Sequence, residues 1–129
     1  MFENVIRGTA IIGGKEINYR SGWEYNYCLY LQWLKEQKQI KDWEHEPQRY
    51  HFIDTKVNPP RAYGNGYLPD FKVIRNNGTF YLVEIKGQKQ GKMKLKRMKR
   101  WYPDIEIELV EAKEYMALKN KVGKMLFFI

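Results

Sequence analysis

The sequence predicts an α/β fold in which helices flank a mixed β-sheet, and three observations support this prediction. Apolar residues over 21–38 recur at helical spacing, and residues 67–86 have the pattern of a β-hairpin. A basic helical segment over 92–102 is followed by an alternating strand over 105–110. Helices that alternate with strands in this order are typical of an α/β core. With 129 residues, the chain fits a single domain over 1–129.

The first elements are an N-terminal segment and a helix. Residues 1–18 are weakly patterned and interrupted by glycines, so we expect an N-terminal arm or a short hairpin. The helix over 21–38 begins with a capping box, in which Ser21 accepts from the N–H of Glu24 and the Glu24 carboxylate reaches back to Ser21. The apolar side of this helix consists of Trp23, Tyr27, Tyr30, Leu31 and Leu34.

The central feature is the hairpin. Residues 67–75 and 79–86 predict two strands, joined by the turn Asn76-Asn77-Gly78. A three-residue loop that ends in glycine places Asp70 directly opposite Glu84, with their Cβ atoms about 4.5–5.5 Å apart. The hairpin therefore predicts two carboxylates on one face of the sheet.

Two like charges opposite each other destabilise a sheet, so the pair indicates a positive charge between them. Lys86 is one candidate, because it lies two residues beyond Glu84 and points to the same face. A divalent cation is the other, and an oxygen-rich site of this kind suits Mg²⁺ or Mn²⁺. The alternative is that Asp70 and Glu84 are solvated residues at strand ends, with Lys86 as an ordinary ion-pair partner.

The remaining elements complete the sheet and its second layer. A helix over 92–102 turns Leu95, Met98 and Tyr102 inward and ends before Pro103. A half-buried strand over 105–110 follows it. We then expect a helix over 112–122, ended by Gly123, and a last strand over 125–129.

Positive charge is concentrated in one segment of the chain. The net charge is +8, and the stretch 89–100 contains seven basic residues and no acids, so removing these seven leaves +1 for the rest. A focused basic patch attracts polyanions such as nucleic acid or acidic lipid. The seven residues are Lys89, Lys92, Lys94, Lys96, Arg97, Lys99 and Arg100.

The composition argues against several other classes of protein. Hydrophobic residues make up 43% of the chain, which is enough for a core and argues against a disordered tail. The longest apolar run is five residues, over 125–129, far short of the ~20 that a membrane helix needs. No signal peptide is expected, and the single cysteine, Cys28, cannot form an internal disulfide. These features predict a cytoplasmic protein without a membrane partner.

Three segments resemble the bacteriophage endonuclease I family of Holliday-junction resolvases, within the PD-(D/E)XK nuclease superfamily. Arg20-Ser21-Gly22-Trp23-Glu24 resembles the R-S-G-x-E segment that opens the first helix of that family. Tyr67-Leu68-Pro69-Asp70-Phe71 resembles its Y-x-P-D-F strand, and Val83-Glu84-Ile85-Lys86-Gly87 resembles its V-E-x-K-G strand. The resemblance covers roughly residues 19–110 in the same order, and it implies a restriction-endonuclease-like core.

The resemblance also implies a metal site with assigned roles. Asp70 and Glu84 would be metal ligands together with the backbone carbonyl of Ile85, and Glu24 would complete the site directly or through water. Lys86 would orient the attacking water or stabilise charge on the phosphorus. Mg²⁺ or Mn²⁺, two ions per active site, would be the cofactor. Metal ions about 3.5–4 Å apart can both activate water and compensate charge on the phosphate oxygens.

The implied function is a metal-dependent, structure-selective endonuclease that acts on branched DNA such as four-way junctions. Arg20 and the basic stretch 89–100 would contact the DNA. The implied partner is a second copy of the chain, because two opposing strands require two active sites. In the resembled family the subunits exchange segments, so Glu24 of one chain would meet Asp70 and Glu84 of the other. The alternatives are a nuclease of this superfamily that cuts linear or damaged duplex, a catalytically silent DNA-binding module, and a polybasic membrane-surface protein.

Overall fold

The fold is taken from a computed structural model that describes residues 7–85 and 89–123, with the backbone alone at 89–91. Two expectations lie outside these residues, namely the position of Lys86 and the strand over 125–129. Among the described residues, no helix is long and apolar enough to cross a membrane.

A mixed four-stranded sheet forms the centre of the molecule. Its spatial order is β3 (Asp42–His45), β6 (Phe71–Ile74), β7 (Phe80–Ile85) and β8 (Ile107–Val110). The first three strands are antiparallel neighbours, whereas β7 and β8 are parallel. A parallel pair needs a crossover connection, which is supplied by α2 (Lys89–Trp101). The predicted α/β fold with a mixed sheet and flanking helices is therefore confirmed, and its element order is compatible with a restriction-endonuclease-like core.

The β6–β7 hairpin has the predicted register. Phe71 pairs with Val83, Ile74 pairs with Phe80, and the N–H of Arg75 donates to the carbonyl of Thr79 over 2.8 Å. Gly78 has φ +89°, a conformation that glycine adopts without strain, so the turn chemistry fixes which residues face each other.

One face of the sheet packs against α1 (Gly22–Glu36). Ser21 caps this helix in an extended conformation, and its hydroxyl accepts from the N–H of Glu24. The predicted apolar side is buried, since Tyr27 contacts the ring of Phe71 at a centroid distance of 5.3 Å and Leu31 is fully buried. The core on this face also contains Trp23, Cys28, Trp43, Val73, Val83 and Ile85.

The opposite face packs against α2. Met98 is fully buried within a second core cluster on this face. Leu95 and Tyr102 are partly buried against the same cluster, so all three residues point inward as predicted. Side chains alternate between the two faces of a strand, so Leu82 and Glu84 of β7 point toward α2. The buried members of this cluster are Tyr50, Phe52, Tyr67, Leu82 and Met98.

Short elements surround the sheet. Two antiparallel strands, β1 (Gly8–Ile12) and β2 (Lys15–Tyr19), form the short hairpin that was one of two expectations for the N-terminal segment. A second small hairpin, which the sequence did not predict, pairs β4 (Ile53–Asp54) with β5 (Arg61–Ala62). The last described helix, α3, spans Ala112–Val122 as predicted, and the backbone N–H of its C-cap, Gly123, donates to the carbonyl of Lys119.

Candidate active site

The predicted acid pair lies at one end of the β6–β7 hairpin. Asp70 directly precedes β6, and its N–H donates to the carbonyl of Val83 over 3.1 Å. One carboxylate oxygen of Asp70, Oδ2, accepts from the N–H of Ile85 over 2.7 Å. Pairing between β6 and β7 ends at Phe71 and Val83, so the N–H of Ile85 has no backbone acceptor on β6 and donates to the Asp70 side chain instead.

Glu84 is held from the α2 side of the sheet. The hydroxyl of the buried Tyr67 donates to Glu84 Oε1 over 2.8 Å. Lys94 of α2 is close enough to lower the pKa of the Glu84 carboxyl by its charge. Asp70 and Glu84 are therefore oriented by different donors, a backbone N–H and a phenol.

Burial and mutual repulsion make both carboxyls unusually weak acids. Burial, together with the charges of Glu84, Glu24 and Glu46, raises the pKa of Asp70 to about 8, and the hydrogen bond from Ile85 opposes the shift. Burial also raises the pKa of Glu84, with Glu24 adding to the effect. The charges of Glu24 and Glu84 therefore both act on Asp70 within one chain. Asp70 lies just before the residues of β6 that pair with β7, so its position directly opposite Glu84 stays a prediction.

Glu24 reaches the cluster from the first turn of α1. Its Oε1 accepts from the backbone N–H of Arg20 over 3.0 Å, and its Oε2 contacts His45 Nε2. The predicted capping box is thus half correct, because Ser21 accepts from Glu24 as expected but the carboxylate takes the N–H of the preceding residue. The extended backbone of Ser21 (φ −153°, ψ 161°) brings that earlier N–H within reach.

His45 and Glu46 also border the site, although no sequence motif assigned a role to either residue. His45 ends β3 and lies beside Phe71, because β3 pairs with β6. The N–H of Glu46 donates to the carbonyl of Asp70 over 2.9 Å, so both residues border the acid pair. The register between β3 and β6 sets this arrangement, and no turn links these strands, so the sequence carried no direct signal for it. Tyr67 could have been found from the sequence, because it opens the segment Tyr67–Phe71 that resembles a family motif. Its contact with Glu84 was nevertheless not predicted.

The donor set fits a divalent cation. Glu24, His45 and Glu46 each offer one ligand atom, and these three atoms lie within 4.8 Å of one another. Of the predicted ligands this group contains Glu24, whereas Asp70 and Glu84 lie outside it and are reached by the charge of Glu24. Carboxylate oxygens are the donors that Mg²⁺ and Mn²⁺ prefer. A cation here would relieve the repulsion that raises the pKa of Asp70.

The predicted DNA-contacting residues lie in different environments. Arg20 lies at the site, where its guanidinium forms an ion pair with Glu46 over 3.3 Å. Lys94 faces Glu84, whereas Lys92 lies 3.8 Å from Glu111 at the start of α3 and is partly engaged there. The side chain of Lys89 is outside the described residues. The remaining basic residues of α2 are exposed at Lys96, Lys99 and Arg100 and half-buried at Arg97.

Comparison with protein families identifies the group to which the chain belongs. A family model described as "Protein of unknown function (DUF1064)" matches residues 9–121, so the chain is a member of this family. The matched region begins in β1 and ends in α3 and therefore includes all carboxylates of the candidate site. Searches of curated proteins and of solved structures find no match.

Proposed function

We propose that this protein is a metal-dependent endonuclease that hydrolyses phosphodiester bonds in branched DNA, such as a four-way junction. The observation that supports the proposal most strongly is the convergence of Glu24, Asp70 and Glu84 at the end of the hairpin, where burial and mutual repulsion raise the pKa of Asp70 and Glu84. A fold has no structural need for such a cluster, because it destabilises the metal-free protein. A helix with a surplus of cations lies on the same side as Glu84.

In this proposal Asp70, Glu84, the carbonyl of Ile85 and Glu24 hold Mg²⁺ or Mn²⁺, with two ions in each active site. Divalent cations supply a nucleophile near neutral pH and compensate charge on the phosphate oxygens. Lys86, which follows Ile85 in sequence, supplies an ammonium group to the attacking water or to the phosphate.

The surrounding residues keep the carboxylates in place before substrate arrives. Tyr67 orients Glu84, the N–H of Ile85 orients Asp70, and His45 together with the N–H of Arg20 orients Glu24. Ligands fixed in this way bind a cation without first losing side-chain freedom.

A preference for branched DNA rests on the three segments that resemble junction resolvases. Two active sites are needed to cut opposing strands, and a symmetric homodimer would supply them. Glu24, Asp70 and Glu84 already interact within one chain. Each subunit of the proposed dimer can therefore carry a complete set of carboxylates without exchanging segments.

Cleavage of a labelled four-way junction, with and without Mg²⁺, tests the proposed activity. We expect cleavage in Mg²⁺ that is lost in Asp70→Asn and Glu84→Gln, while both variants still bind the junction. Glu108→Gln is a matched control, because Glu108 is an exposed glutamate on β8 whose pKa is also raised. No cleavage by the wild-type protein in Mg²⁺ or Mn²⁺ would leave a DNA-binding module as the function. Equal cleavage of linear duplex would contradict the preference for branched DNA.

Mixing inactive variants tests how the active sites are built. If each subunit has a self-contained site, a mixture of Glu24→Ala and Asp70→Ala stays inactive after subunit exchange, because every site keeps one defect. If segments are exchanged, half of the sites in the mixed dimer are intact and nick one strand. Mass spectrometry of the mixed dimer confirms that exchange has taken place.

A further inference from the structure

A second cluster of functional interest lies where the β4–β5 hairpin packs against the C-terminal half of α2. The indole N–H of Trp101 donates to the carbonyl of Ile53 over 3.0 Å, which fixes the hairpin to the helix. Tyr63, next to β5, lies with its ring centroid 5.5 Å from that of Trp101, at an angle of 53°. Both rings are half-buried, so part of each ring remains accessible.

Three arginines surround these two rings. The guanidinium of Arg61 lies 5.0 Å from the centre of the Tyr63 ring, and that of Arg97 lies 6.0 Å from the same ring. Arg100 lies 4.7 Å from the Trp101 ring. None of these arginines forms an ion pair with a carboxylate of the described residues. We call these five residues the aromatic–arginine surface.

A cleft opens beside the aromatic–arginine surface. Its volume is about 310 Å³, within the usual range for small-ligand sites of about 300–1,000 Å³. The carboxylate of Asp54, which lines the cleft, accepts from the N–H of Lys56. The lining residues are Ile53, Asp54, Thr55, Lys56, Arg100 and Trp101, so cations outnumber acids there.

The helix connects the aromatic–arginine surface with the candidate active site. Lys94, Arg97 and Trp101 are spaced three and four residues apart and therefore lie along one side of α2. Lys94 is the residue whose charge reaches Glu84. Seven residues at a rise of about 1.5 Å each separate Lys94 from Trp101 by about 10 Å. That distance equals about three nucleotides of a stacked strand.

We propose that the aromatic–arginine surface binds unpaired bases of single-stranded DNA. Accessible ring faces and guanidinium planes stack on bases without sequence preference, and the same arginines neutralise the phosphates between them. A duplex keeps its base faces inside the stack, so it cannot use the rings in this way. Under the proposed nuclease function, the bound bases belong to an unpaired segment about three nucleotides from the scissile phosphate.

Binding of a fluorescently labelled oligothymidine of about 20 nucleotides, in EDTA, tests the surface without any cleavage. We expect Tyr63→Leu to weaken this binding about tenfold, as the loss of one stacked base predicts, and to leave binding of a duplex of equal length within about twofold. Tyr63→Phe keeps the ring and should bind like the wild-type protein. An oligouridine of equal length serves as a second probe, and tighter binding of it than of oligothymidine overturns the assignment to DNA.

Charge variants separate stacking from simple attraction. Arg100→Gln should weaken oligothymidine binding and reduce the slope of log K against log salt by about 0.7, the loss of one phosphate contact. Arg75→Gln is a matched control, because Arg75 also lies over a ring, that of Tyr81, but its guanidinium is paired with Glu106. If Tyr63→Leu is folded by circular dichroism and binds oligothymidine normally, or loses duplex binding equally, the proposal is overturned.

The position of the surface relative to the cut is tested by single abasic nucleotides in an unpaired strand of the cleaved substrate. We expect the abasic site about three nucleotides from the cut to slow cleavage most, since it removes a base and leaves the phosphate. A profile with no such maximum overturns the positional part of the proposal. Absence of cleavage would overturn the nuclease function, whereas the oligothymidine experiment would still decide whether the surface binds unpaired bases.

Discussion

Replacement of Asp70 by asparagine should stabilise the metal-free protein, although Asp70 is proposed as a metal ligand. Asparagine keeps an oxygen that can accept from the N–H of Ile85, so the hydrogen bond at 2.7 Å is preserved while the titrating group is removed. The carboxyl of Asp70 has a pKa of about 8, against about 3.9 for an aspartate in an unfolded chain. Glu84 on β7, Glu24 on α1 and Glu46 after β3 all face it and oppose its ionisation.

The sign and size of the effect follow from proton linkage. Between about pH 4 and 8 the folded protein holds a proton on Asp70 that the unfolded chain has released, so the free energy of unfolding falls as pH rises. At pH 7 this group lowers the free energy of unfolding by up to about 4 kcal/mol, about 1.4 kcal/mol for each of three pH units. Below about pH 4 the effect disappears, because Asp70 is then protonated in both states.

Urea unfolding of the metal-free wild-type and Asp70→Asn proteins, between pH 4 and 8, measures this effect. The two proteins should have similar free energies of unfolding near pH 4, and the variant should be more stable by several kcal/mol near pH 7. Saturating Mg²⁺ should stabilise the wild-type protein and not the variant, which reduces or reverses the difference. Equal stability of the two proteins at pH 7, with parallel pH profiles, would refute the buried acid cluster.

Three further predictions concern the substrate, the site and the core. The double variant Lys96→Ala/Lys99→Ala should bind every DNA shape more weakly, and the slope of log K against log salt should fall by up to about two units. An unchanged slope in a filter-binding titration would contradict a phosphate contact. Tyr67→Phe removes the hydrogen bond that favours ionised Glu84, so the pKa of Glu84 should rise. The acidic limb of the cleavage–pH profile should then move to higher pH, and an unmoved limb would contradict the assigned contact. Leu31→Ala should lower the free energy of unfolding by about 2–5 kcal/mol in urea titrations, because the Leu31 side chain of α1 is fully buried against the sheet. A smaller loss would mean that the cavity collapses.

The sequence was sufficient for the hairpin that carries the acid pair. The turn Asn76-Asn77-Gly78 is a local signal that fixes the register, and the register in turn determines which residues share a face. For the same reason the apolar spacing of α1 predicted its buried side, and local signals predicted the approximate ends of α1 and α3. These features depend on residues that are close in sequence.

The positions of His45, Glu46 and the β4–β5 hairpin were decided by the tertiary structure. β3 joins β6 across about 25 intervening residues, and no local turn determines that register. Which backbone N–H donates to the Glu24 carboxylate likewise depends on the angle at which the chain enters α1. The capping box predicted the N–H of Ser21, whereas the donor is the N–H of Arg20. Pairing between distant segments is set by burial of the whole core rather than by local geometry. The sequence therefore determined which acids form the candidate site, whereas only the packed sheet determined which side chains surround them.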